Sequence, residues 1–158
     1  MEEKDLLAKF WPKEGQTTRS VFTRIPEGSK YSPDPKSRPA REIAWQIVHE
    51  ERSLIDGLER GRIEWVEVKA PETMREILEI YNQHLDTFGD RLKALDSAKW
   101  EALVPFVYGS HEIGKSSGLA QAWSFLFDVI HHRGQITTYL RAMGSTVPQI
   151  YGPTADEP

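Results

Sequence analysis

Asp128 and His132 stand four residues apart in the stretch "FDVIHHRGQITTYLRAMG", Phe127 to Gly144. On a helix that spacing puts both side chains on one face, about a turn apart. A carboxylate and an imidazole placed this way suit two ligands of one divalent ion, and helical proteins commonly complete such a site from a facing helix. The same pair also serves as an ordinary helix-stabilising i,i+4 interaction, so spacing alone leaves both readings open. His49 is the candidate third ligand, midway along another apolar-striped segment with Trp45 one turn before it. His84, near Tyr81 and Phe88, is the reserve. Two imidazoles and one carboxylate would leave coordination positions open for water or substrate.

The neighbouring polar residues carry less chemistry. His131 points about 100° away from His132 around a helix, so the two are not expected to share an ion. "HEERS" at His49 is not a zincin motif, because Ser53 stands where the second histidine belongs. Arg133 and Gln135 are expected to make structural contacts to the tail or to a partner chain. His111, in a Gly/Ser-rich stretch, is expected to be solvated.

Bulk properties exclude several alternatives. The 158 residues fit one domain, with 39% hydrophobic and 28% charged residues. The formal net charge is -4 and the basic residues are scattered, which argues against nucleic acid and anionic lipid as partners. With no cysteine, zinc ribbons, iron–sulfur clusters, disulfides and a thiol nucleophile of the chain's own are ruled out. No apolar run approaches the ~20 residues of a membrane span, and "MEEKDLLAKF" has no signal-peptide core, so a cytoplasmic location is expected.

Four helices must position the candidate ligands. The first runs from about Asp5 to Ile25, with Pro12 expected to kink it or precede it. A proline-rich loop, "IPEGSKYSPDPKSRP", leads to a second helix from Pro39 that ends at Gly57 or Gly61. "RIEWVEVKAP" reads as a linker with some strand character. The third helix opens with the capping box Thr73 to Glu76 and carries its apolar face to Leu95. An irregular connection from Asp96 to Gly118 follows. The fourth helix, Leu119 to Met143, stops at Gly144, and an extended tail begins near residue 145. The expected fold is all-α: an up-down four-helix bundle with long connections.

"FDVIHHRGQITTYLRAMGSTVPQIYGPTAD" closely resembles the C-terminal signature of the DinB-like (DinB/YfiT) family, and "SRPAREIAWQIVHEERSLIDGL" is similar to that family's segment bearing the first metal-binding histidine. The resemblance runs from about Tyr31 onward and is most specific at His131-His132-Arg133-Gly134-Gln135. It implies a four-helix bundle over residues 1–158, a homodimer, and a divalent metal on three side chains, which by position fall on His49, Asp128 and His132. The commoner family pattern has histidine where this chain has Asp128. The substitution adds a negative charge and shifts preference from nickel or zinc toward harder ions such as iron(II) or manganese(II).

Some members of the family resemble transferases that use a low-molecular-weight thiol. A chain without cysteine would have to borrow such a thiol, and an open metal position would activate it as thiolate against a small-molecule substrate. Trp45, Tyr81, Phe88 and Trp100 are the candidate apolar walls. Two other readings compete: hydrolysis by metal-activated water, with Asp56 or Glu50 as base, and a non-catalytic dimeric module with a structural metal.

Overall fold

The computed structural model describes residues 2–158. Four long helices, α1 (Glu3–Phe22), α2 (Ala40–Arg60), α3 (Met74–Ala94) and α5 (Gly118–Leu140), contain most of the buried apolar side chains. They pack in a ring, α2 against α5 and α3, and α1 against α3 and α5. Pro12 lies inside α1 without ending it, and its ring sits against Gly89 of α3. At Gly15 the helices approach more closely still, since a Cβ there would come within 2.5 Å of the Leu85 side chain. The Thr73–Glu76 capping box is formed, and Gly61 and Gly144 both adopt the left-handed conformation that stops a helix.

The connections are where the structure departs from the all-α expectation. A three-stranded sheet, in the order β1-β2-β3, is built from β1 (Ile63–Trp65), β2 (Leu103–Tyr108) and β3 (His111–Ser117). β1 runs parallel to β2, with Ile63 opposite Phe106 and Trp65 opposite Tyr108. β2 and β3 form an antiparallel hairpin around Gly109, which has a φ of 59°. The segment from Asp96 to Gly118, expected to be irregular, is thus a short helix, α4 (Ser97–Glu101), followed by this hairpin. Pro105 lies in β2 just before the residues paired with β1, where its missing N–H costs the sheet least. β2 and β3 shift register between Phe106 and Val107. Ser117 then caps α5 by accepting from the Ala120 N–H. The sheet thereby stands over the α2–α5 face and supplies side chains to it.

No helix among the described residues is long and apolar enough to cross a membrane. The tail after Gly144 folds back on the body. The Asp156 carboxylate accepts from the Val147 N–H and pairs with Arg141, and Glu157 pairs with Arg24.

Candidate metal centre

Where α2 faces α5, three potential ligands converge. Single ligand atoms of Glu50, Asp128 and His132 all lie within 4.8 Å of one another, and this is the group of metal-ligating type found among the described residues. His132 Nε2 is 3.5 Å from a carboxylate oxygen of Glu50 and 3.5 Å from one of Asp128. Ligands held about 2.1 Å from one ion stand about 3.0–3.4 Å apart, so small side-chain movements would close the set. Asp128 and His132 share a face of α5, as their spacing predicts.

His49 does not join them. Its Nε2 bonds the Val66 carbonyl at 2.6 Å, and its ring packs on Trp65 with centroids 4.5 Å apart. Burial lowers its pKa. Successive helical residues are about 100° apart, so on α2 residue 50 faces α5 while residue 49 turns toward the segment after β1. Glu50 occupies the place expected for His49. His84, the reserve, lies elsewhere in the core, its Nε2 3.1 Å from Glu51.

The surroundings suit ligation. Gln135 Oε1 accepts from His132 Nδ1 at 2.9 Å, which leaves Nε2, the nitrogen nearer the two carboxylates, as the one able to ligate an ion. Orientation of a ligand imidazole through its other nitrogen is the usual support for such a site. Gln46 completes the group: its Nε2 lies 2.7 Å from His132 Nε2 and donates to Glu50 Oε1 at 2.6 Å. The second Glu50 oxygen is buried without a hydrogen-bond partner. Burial pushes the Glu50 carboxyl up to about 8, with the Asp128 charge adding to the effect. The His132 hydrogen bond holds Asp128 low. Burial opposes a charge on His132, yet its hydrogen bonds to Asp128 and Gln135 and the Glu50 carboxylate outweigh this and raise its pKa. An orphaned buried carboxylate oxygen beside a second carboxylate and a pre-oriented imidazole is a donor set that fits a divalent cation.

The centre opens on a cavity of about 510 Å³ between the sheet and α5. Its walls are Trp65, Phe106, Tyr108, Phe125 and Phe127, not the aromatics expected from the sequence. Trp45, Tyr81, Phe88 and Trp100 are buried in the core, and Trp45 donates to the Val68 carbonyl. His131 is at the cavity rim, exposed and 3.3 Å from Gln135. Asp56 is bound to Arg91 at 2.6 Å.

Two further polar groups are buried beneath the site. Glu51 accepts from Trp11 Nε1 at 2.9 Å and from the Tyr81 hydroxyl at 3.4 Å. Arg133, 1% exposed, pairs with Glu14 at 2.7 Å and donates to Thr18 and to the tail residue Tyr151, the tail contact expected for it. These bonds tie α1, α2, α3, α5 and the tail together behind the metal-type cluster.

A family model described as DinB family matches residues 1–158. Among solved structures, a DinB-like protein from Bacillus subtilis superposes with a TM-score of 0.72 at 16% identity, covering 92% of this chain and 97% of its own. One from Bacillus cereus gives 0.71 at 19% identity, covering 92% and 95%. At such identities the likeness speaks for the fold. No curated protein matches the chain.

Proposed function

The chain belongs to the DinB family, and on that premise we propose that it is a metal-dependent enzyme whose divalent ion is held by Glu50, Asp128 and His132. The supporting observation is the convergence of these three side chains beside a ligand-sized cavity that Glu50 and Asp128 line. A bound divalent ion would supply Lewis acidity and lower the pKa of a coordinated thiol or water. The chain's own residues do the positioning. Gln135 fixes the His132 tautomer, Gln46 orients Glu50, and the aromatic walls give the ligand an apolar surface beside the centre. The nucleophile we favour is a low-molecular-weight thiol, which suits a chain without cysteine. Activated water is the second reading, and the donor set favours it: two carboxylates and one imidazole select harder ions than a thiol-binding centre needs. The homodimer implied by the sequence resemblance belongs to the same proposal.

Metal analysis of untagged protein, followed by calorimetric titration of Mn(II), Fe(II), Ni(II) and Zn(II), tests the centre. We expect one ion per chain in the wild type and at least a hundredfold weaker binding in Asp128→Asn and His132→Ala, with His49→Ala unchanged. Failure of all four ions to bind refutes the proposal. Thiol-dependent consumption of an electrophile then separates the transferase from a hydrolase, which turns over without thiol.

A further inference from the structure

The cavity beside the centre has a definite chemical character. Phe106 and Phe125 meet edge to face at 5.6 Å, a favourable arrangement that fixes both rings. Trp65 is braced by His49 on its other side. The Tyr108 hydroxyl donates to Glu67 at 2.8 Å, and Phe127, 63% exposed, stacks on Trp123 at the rim. Four elements therefore hold the walls before any ligand arrives, which lowers the ordering cost of binding.

Charge narrows the choice of ligand. Among the described residues no lysine or arginine lines the cavity; its acidic and imidazole groups are Glu50, Asp128 and His131. With a divalent ion on the Glu50 and Asp128 carboxylates the centre carries no net charge, and an anion finds no lysine or arginine in the lining to pair with. Once a divalent ion balances those carboxylates, a cation gains nothing there either. The remaining polar lining, Gln46, Tyr108, Gln121 and Ser124, is neutral; Gln46 already donates to Glu50 and Gln121 to the Val104 carbonyl at 3.0 Å.

We infer that this cavity binds a flat, uncharged aromatic group of the substrate, carrying one oxygen, nitrogen or sulfur atom that reaches the Glu50–Asp128–His132 centre. The inference rests on the metal-centre reading and specifies its substrate class. About 510 Å³ lies within the usual range for a small-molecule site and holds a fused two-ring compound.

Three probes test it on the full chain loaded with Zn(II): 2-naphthalenemethanol, 2-naphthalenesulfonate and (2-naphthylmethyl)trimethylammonium, titrated by calorimetry. The neutral probe is expected to bind at least tenfold more tightly than either ion. Ser124→Trp, at an exposed position on α5 facing the cavity, should weaken it tenfold or more while leaving the Zn(II) titration unchanged. Phe127→Ala, at the exposed rim, should weaken it severalfold and serves if Ser124→Trp does not fold. Equal or tighter binding of a charged probe, no binding of the neutral one, or indifference to both variants overturns the inference while the metal centre stands. Failure of Zn(II) itself to bind overturns both.

Discussion

Replacing Glu50 by glutamine removes a proton linkage that the buried carboxylate imposes on folding. The Glu50 side chain is 4% exposed and its carboxyl is pushed up to about 8, whereas an exposed glutamate titrates near 4.5. Between those values the folded chain keeps a proton that the unfolded chain has released. Folding then takes up a proton, and stability falls as pH rises through the window. The limit is about 1.4 kcal/mol per pH unit, so the interval from pH 6 to 8 costs roughly 2–3 kcal/mol. For a chain of this length that corresponds to about 5–10 °C in Tm. His132 acts in the same direction: its raised folded pKa contributes stability at low pH that is lost as pH climbs past it. Asp128, held low by His132, acts only in acid and leaves this interval untouched. Thermal unfolding followed by circular dichroism at pH 6, 7, 8 and 8.5, with chelator present, measures the effect. The wild type should lose Tm steadily, while Glu50→Gln, which keeps the shape and the Gln46 contact, should lose less than half as much. Saturating divalent ion should restore the wild type most at the alkaline end, where the ligand protons are already gone. Parallel curves for the two proteins would refute the argument, because a solvated Glu50 would show no such difference.

Gln46→His should tighten Ni(II) or Zn(II) binding tenfold or more by calorimetry, since the Gln46 amide already lies 2.7 Å from His132 Nε2 and 2.6 Å from Glu50 Oε1; unchanged or weaker binding would count against the placement of the centre. Arg133→Met should cost about 3 kcal/mol in denaturant unfolding, because it strands the Glu14 carboxylate and frees Tyr151 and the tail. A loss under about 1 kcal/mol would show that the buried pair is dispensable. Gly57→Ala and Gly134→Ala, both within helices, should move stability in opposite directions. A Cβ at 57 would stand 2.7 Å from the Ile63 backbone and push β1 away, whereas 134 has nothing within 4 Å and should gain about 0.5–1 kcal/mol. Destabilisation at Gly134 would refute the reading of that face of α5 as open.

The helices were legible because their signals are local. The Thr73–Glu76 box, the apolar periodicity of α2, α3 and α5, and the stop at Gly144 each depend on a few neighbouring residues. The hairpin was not, since Pro105 speaks against a strand and most of β3, "HEIGKSS", is polar and exposed. Its pairing depends on contacts with β1, some forty residues upstream. Glu50, the third member of the cluster, was missed for a different reason. Glu50 entered the sequence reading only as a possible base beside His49, yet Glu50 and Glu51 are both buried, Glu50 by partners on α2 and α5 and Glu51 by Trp11, Tyr81 and His84. A signal did exist in the spacing. On α2 the buried stripe runs Ile43, Ile47, Glu50, Leu54, and on α5 it runs Phe125, Val129, His132, Ile136, each with one ionisable residue where an apolar one is due. His49 lies one step, about 100°, off its stripe. An ionisable side chain in the middle of a buried stripe carries a desolvation cost that a surface position does not, so it persists only where a partner offsets it. α2 and α5 pack against each other, and the two interrupted stripes meet, which brings Glu50 to His132. Periodicity applied to the charged residues, and not only to the apolar ones, separates residue 50 from residue 49.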